Sequence, residues 1–234
     1  MNEIFSALGE AGRLIGGLDA KLAEIVLLSL RVSLIAVLLA SLVGLPLGAA
    51  IAVGRFPGRQ GLIVALNALM GLPPVVVGLL VYLLLSRAGP LGAFGILFTP
   101  TAMVIAQTIL IAPIVAALSR QVIEDAWQEY REQLRSLGAG QLRSALTLLW
   151  DTRFSLVTII LAGFGRAAAE VGAVMIVGGN IDGVTRVMTT TIALETSKGD
   201  LPLALGLGVI LISLVLALNA GAYLVKEAAQ RRYG

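Results

Sequence analysis

The sequence predicts an all-α integral membrane protein with five spanning helices. Three observations predict it. Apolar residues make up 58% of the 234 residues and charged residues only 13%, against about 25% charged in a soluble domain. Five apolar runs reach the length of about 20 residues that a spanning helix needs. Lipid offers no partner for open backbone groups, so each run is expected to be helical. Histidine and cysteine are both absent. That removes the commonest metal ligand and general base, together with thiolate nucleophiles and disulfides.

Residues 1–22 are not a signal peptide, since they lack a basic start and a compact apolar run. Ile4, Leu8, Ala11, Ile15, Leu18 and Leu22 recur at helical spacing. They read as one face of an amphipathic helix on the outer interface, with a plain tail as the alternative. The first span is expected over 25–53, with a tilt or bend at Pro46. Gly44 and Gly48 in it have the spacing that permits close helix contact.

The second span is expected over 62–85. Gly71-Leu72-Pro73-Pro74 falls inside it. Pro74 removes a helical hydrogen bond and clashes with the preceding turn. Irregular backbone at this depth survives only inside protein or beside a water-filled cavity. The break therefore either lines a pathway, with Pro73 and Pro74 as pathway candidates, or is a packing kink. The third span is expected over 94–118, the fourth over 154–177 and the fifth over 201–225. No internal repeat or long linker is visible, and residues 1–234 are expected to form one transmembrane domain.

Lys and Arg orient the spans. One set of ends carries ten of them: Arg55, Arg59, Arg120, Arg131, Arg135, Arg143, Arg153, Lys226, Arg231 and Arg232. The other carries five: Arg13, Lys21, Arg87, Arg186 and Lys198. The richer set is expected in the cytoplasm, with the N-terminus outside and the C-terminus inside.

Residues 120–153 form the longest polar interval, and this count places it in the cytoplasm. Glu124, Asp125, Glu129 and Glu132 precede Gly138-Ala139-Gly140. Glycine permits the positive φ that ends a helix and turns the chain. Leu142, Ala145, Leu146 and Leu149 then recur at helical spacing. Residues 124–149 read as two short helices around a break. Two uses are open on periodicity alone: a docking surface, or an amphipathic stripe on the headgroups.

Glu132-Gln133-Leu134-Arg135-Ser136-Leu137-Gly138 resembles the Glu-Ala-Ala-x-x-x-Gly signature of the membrane subunits of bacterial ABC importers. Gln133 and Leu134 replace the paired alanines, and Leu149-Trp150 stands where that family usually has Leu-Pro. Leu30-Arg31-Val32-Ser33 and Gly44-Leu45-Pro46-Leu47-Gly48 resemble its opening motif. The stretches from Gly71 to Gly78, from Gly163 to Ile181 and from Thr185 to Asp200 resemble the oxyanion branch, most of all tungstate-type permeases, then molybdate and sulfate permeases.

The resemblance implies a type I ABC importer permease that moves a tetrahedral oxyanion by alternating access. It implies a homodimer with two ATPase subunits below and a periplasmic or lipid-anchored oxyanion-binding protein above, in a bacterial or archaeal cytoplasmic membrane. Glu132, Leu134, Arg135, Gly138 and Ala139 would couple to the ATPase. ATP and Mg²⁺ would belong to that partner, because this chain holds no Walker-type phosphate loop. The chain itself would be neither an enzyme nor a nucleic-acid binder, and it would hold no metal or cofactor.

Arg166 and Glu170 lie four apart in the fourth span, on one helical face where they can pair. An arginine at a helix centre costs about 2.5–3.5 kcal/mol on insertion scales. The pair either lines the path of a dianion or fixes helix packing. Arg31 either snorkels or pairs with Glu24, with a ligand role as the alternative. Arg186 and Lys198, in the last outer loop, are candidates for docking the binding protein, against plain solvation. An ion-coupled secondary transporter is the rival class, and Glu170 is the acid it would use. An intramembrane enzyme lacks its residues, and a scaffold leaves the polar turn unexplained.

Overall fold

The computed structural model describes residues 20–233, together with Gly9 and Gly12. Of the amphipathic segment expected over 1–22, residues 1–19 other than Gly9 and Gly12 lie outside the described residues; residues 20–22 open the first helix. Among the described residues every regular element is helical. They are α1 (Ala20–Val53), α2 (Arg59–Leu69), α3 (Pro74–Leu85), a 3-10 turn at Gly92–Phe94, α4 (Pro100–Ser136), α5 (Gln141–Asp151), α6 (Arg153–Ala168), α7 (Gly172–Gly178), α8 (Met188–Lys198) and α9 (Leu201–Tyr233).

Three of them, α1, α4 and most of α9, are long and apolar enough to cross a membrane, and up to five crossings result if each bent helix pair is one span. At 1.5 Å per residue, the 34 residues of α1 run about 51 Å and the 37 of α4 about 55 Å. Both exceed the apolar thickness of about 30 Å, so each carries a helical extension beyond it. α1 stays helical through Pro46, and α4 through Pro113.

The second apolar segment is broken where the prolines predict. α2 ends at Leu69, and α3 starts at Pro74. Pro73, extended at φ −66° and ψ 120°, is the residue before α3, and Pro74 is its first helical residue. Proline is preorganised for that position, where its missing N–H has no helical partner to lose.

Three expectations are corrected. The third segment does not begin its helix at Phe94. Gly95 and Phe98 take positive φ (61° and 59°), and the helix starts only at Pro100. The fourth segment is not one helix: α6 ends at Ala168, and α7 begins at Gly172. The polar interval is not two short helices. Its first half is the uninterrupted end of α4, as Glu124 to Ser136 contains no glycine or proline to stop it.

The chain divides into two compact units. One comprises the described residues of Met1–Ile35, Pro73–Gln107 and Gly165–Ala220. In it α3 and α7 pack backbone to backbone. A Cβ on Gly78 would lie 2.8 Å from the Ala173 Cα, and one on Gly172 would lie 2.9 Å from Val75 Cγ2. The Thr185 hydroxyl donates to the Gly178 carbonyl at 2.6 Å and accepts the Ile181 N–H at 2.9 Å, which closes the turn after α7. The Ser29 hydroxyl accepts the Met188 N–H at 2.8 Å, which anchors the start of α8 to α1.

The other unit comprises the described residues of Ala36–Leu72, Thr108–Phe164 and Gly221–Gly234. Ile51, Ile63, Leu66, Ala116 and Ala117 form its apolar centre. α1 and α4 touch closely at two glycines. A Cβ on Gly44 would lie 2.9 Å from the Val115 side chain, and one on Gly48 would lie 2.7 Å from the Ala116 carbonyl oxygen. The spacing of Gly44 and Gly48 is therefore a packing device within this chain.

Candidate functional site

The segment predicted to couple is built by the end of α4 and the whole of α5. α4 stops because Gly138 takes φ 72°, a conformation glycine adopts without Cβ strain. The Gly138 N–H donates to the Arg135 carbonyl at 2.9 Å, and the Ala139 N–H to the Leu134 carbonyl at 2.9 Å. These bonds satisfy carbonyls that a helix end leaves open. α5 then starts at Gln141 and meets α6 at a 74° bend around Thr152.

The turn projects apolar surface. Leu137, Leu142, Leu146 and Trp150 are 75%, 74%, 58% and 72% exposed, whereas Ser144 and Leu148 are buried. Of the predicted stripe, Leu142 and Leu146 face outward, and Ala145 and Leu149 are half-buried. Tyr130, Gln133, Leu134, Leu137, Thr147, Leu148 and Asp151 line an open groove of about 350 Å³ beside the turn. Glu132, Arg135 and Gly138 are exposed, and Leu134 and Ala139 are half-buried. Arg135 lies 5.8 Å from the Trp127 ring centroid, and Arg153 lies 4.9 Å from that of Trp150. Both are cation–π distances. Of the five predicted coupling residues, Glu132, Leu134 and Arg135 lie at the end of α4, and Gly138 and Ala139 lie in the turn that follows.

The predicted pathway residues lie at the head of α3 and around the end of α6. Pro73 is exposed and Pro74 half-buried at the head of α3. Arg166 and Glu170 do pair, with Nη1 donating to Oε2 at 2.6 Å. They are not on one helix, however, since Glu170 lies in the break between α6 and α7. Its other oxygen, Oε1, accepts the Ala173 N–H at 3.0 Å, so the carboxylate caps the first turn of α7. Its carbonyl accepts the Thr189 hydroxyl at 2.8 Å, and the Gln107 amide donates to the Ala167 carbonyl at 3.1 Å. Hydrogen bonds from Gln107 and Thr189 thus hold the backbone at and beside the break, while the Gln107 Oε1 is buried without a hydrogen-bond partner. Glu170 is 3% exposed, while the Arg166 side chain is 35% exposed.

Both Glu170 carboxylate oxygens are thus engaged, one by Arg166 and the other by the Ala173 N–H.

In the loop between α7 and α8, Asp182 holds two cations. Lys21 Nζ lies 2.6 Å from Oδ2 and Arg186 Nη1 lies 3.0 Å from Oδ1. The hydrogen bond from Lys21, with the Arg186 charge adding to it, holds the Asp182 carboxyl below its usual range. Arg186 is thus engaged, with a side chain only 19% exposed. Lys198 reaches Glu195 at 2.9 Å and stays 54% exposed. Arg31 is exposed and has no ion-pair partner among the described residues, so the pair with Glu24 does not form. Among the described residues no three acidic side chains group into a metal site.

Sequence reasoning missed one polar centre. Glu124 accepts from Arg59 Nη2 at 2.6 Å and from Arg120, while Arg59 Nε donates to the Ile51 carbonyl at 2.8 Å. The signal was the Arg120–Glu124 spacing of four; Arg59 is 65 residues from Glu124 and left no local trace.

Residues 44–234 match the family described as the binding-protein-dependent transport system inner membrane component. The chain belongs to that family. Family membership makes it a multi-pass permease component of an ABC transporter, not the subunit that hydrolyses ATP. Similar proteins agree. The probable anion ABC transporter permease protein of Haloferax volcanii is 42% identical over 204 residues, which cover 85% of this chain and 88% of that protein. The tungstate uptake system permease protein of Peptoclostridium acidaminophilum is 39% identical over 97% of this chain and 100% of its own length. The sulfate transport system permease protein of Synechocystis is 32% identical over 88% of this chain and 76% of its own.

Proposed function

We propose that this chain is the membrane-spanning half of an ATP-driven importer for a tetrahedral oxyanion, tungstate above molybdate and sulfate. The observation that carries the reading is the uncovered turn around Gly138, where four large apolar side chains stand in solvent beside a groove. Exposed apolar surface rimmed by charge marks a partner site, and in a binding-protein-dependent transport component that partner is the ATPase. The near full-length similarity to a tungstate permease supports tungstate.

In this reading α1, the α2–α3 pair, α4, α6 with α7, and α9 make five crossings. The richer Lys and Arg ends lie in the cytoplasm of a bacterial or archaeal cell, and the N-terminus lies outside. Residues 1–234 act as one translocation domain. Two copies line the path, two ATPases carry ATP and Mg²⁺, and a binding protein delivers the anion at the outer mouth. Glu132, Leu134, Arg135, Gly138 and Ala139 seat in the ATPase. Lys198 and the net positive Lys21–Asp182–Arg186 cluster meet the binding protein. Pro73 and Pro74 hold the bend of the second crossing beside the path, and Arg166 with Glu170 fix the break behind it. The occupied state of Glu170 speaks against an ion-coupled carrier.

Calorimetry on the partner binding protein tests the substrate. Tungstate binding at least tenfold tighter than molybdate and sulfate supports the reading. Tighter binding of sulfate or molybdate reassigns the anion and leaves the transport class intact.

A further inference from the structure

Arg59 is the first residue of α2 and touches two other helices at once. Its Nε donates to the Ile51 carbonyl, in the last turn of α1, and its Nη2 donates to Glu124 of α4. The last-turn carbonyls of a helix lack helical partners and carry its negative pole, so a cation is favoured there. Glu124 is meanwhile gripped by Arg120 one turn earlier on α4. The side chains of all three are largely shielded, at 24%, 10% and 23% exposure for Arg59, Arg120 and Glu124.

Two further facts make this centre mechanical. Just before it, α1 and α4 touch through Gly48, where a Cβ would also lie 2.9 Å from the Arg120 backbone nitrogen. Beyond it, α4 runs without glycine or proline from Glu124 to Ser136, about 18 Å along the axis, and ends in the Gly138 turn. The base of this lever is therefore fastened to the end of α1 and the start of α2.

We propose that Glu124 is the positioning residue that carries displacement of the Gly138 turn into α1 and α2. This rests on the reading of that turn as the ATPase seat. A lone i,i+4 pair with Arg120 could not do it, because both groups belong to α4. Arg59 supplies the link, and its planar fork supplies two donors at a fixed angle. Lysine has a single ammonium, so Arg59→Lys does not replace it.

The test uses the permease reconstituted with its ATPase and binding protein in proteoliposomes. Anion transported per ATP hydrolysed is measured for the wild type, Glu124→Gln, Arg59→Gln and the double variant. ATPase association is scored by gel filtration of the detergent complex. The expected result is a tenfold or greater fall in anion per ATP for each single variant, with ATPase association and basal hydrolysis retained. The double variant falls no further than either single one, because both act through one contact. If Glu124→Gln fails to insert, Arg59→Gln carries the same test. An unchanged transport ratio in an associated complex overturns the proposal. Loss of ATPase association also overturns it, by assigning Glu124 to docking. Failure of the wild type itself to bind the ATPase sinks the docking reading instead.

Discussion

Arg166→Ala separates packing from passage. The variant leaves the buried Glu170 carboxylate with the backbone N–H of Ala173 as its one remaining donor among the described residues. Breaking a fully buried ion pair costs about 3–5 kcal/mol. The Arg166 side chain is 35% exposed, so water already screens part of the pair, and Glu170 keeps its cap. About 2 kcal/mol remains, of the order of a partly screened charge-assisted bond. For a chain of this size that corresponds to a drop in Tm of about 4–8 °C. The assay is thermal melting in detergent followed by size-exclusion chromatography, beside uptake competition between tungstate, molybdate and sulfate. Arg166→Lys keeps the charge but loses the fork, so it melts between the other two proteins. The order of anion preference stays the same in all three. An Arg166→Ala protein that melts with the wild type yet reorders the anions refutes this reasoning and puts Arg166 on the substrate.

Other perturbations address other parts of the account. Gly138→Pro forces φ from 72° to about −65° and removes the N–H that donates to Arg135, so the permease inserts but loses ATPase association or coupling. Glu132→Lys, a charge reversal at an exposed position near the end of α4, does likewise; normal association and anion-stimulated hydrolysis in both variants contradict the docking assignment. Gly48→Ala pushes a methyl into the α4 backbone and destabilises by about 1–3 kcal/mol. Gly61→Ala, with nothing within 4 Å of the new Cβ, raises stability by about 0.5 kcal/mol. Equal melting of these two glycine variants argues against the close α1–α4 approach. The Asp182 carboxyl lies below its ordinary value of 3.8 in the fold, so its tie is fully present above that value and is lost as pH falls through the lower folded value. Asp182→Asn therefore removes part of the acid-side loss of stability below pH of about 4, as an acid titration of the melt reads directly.

The prolines made the break at residues 70–73 legible, because proline acts on its own backbone and needs no tertiary context. The Gly138 turn was legible for the same reason. The break at residues 169–171 was not. Ala169, Glu170 and Val171 are all compatible with a helix, and what stops α6 is tertiary: Glu170 caps α7, Thr189 holds its carbonyl, and Gly78 and Gly172 let α3 approach. The pairing of Arg166 with Glu170 was read correctly from their spacing even though the helix between them ends. Periodicity found the stripe on α5 but gave only its angle, not which way it faces. Leu142 and Leu146 point outward because Ser144 and Leu148 take the inward side. Arg59 and Glu124 meet only once α1, α2 and α4 are assembled, so no local pattern announced them.

The account stands or falls on what drives uptake. The permease, its ATPase and the binding protein are reconstituted in liposomes, and tungstate inside is measured with and without ATP at matched ion gradients. Accumulation that requires ATP, stops with vanadate and disappears with Gly138→Pro is the predicted result. Accumulation that proceeds without ATP and follows an imposed proton or sodium gradient contradicts it.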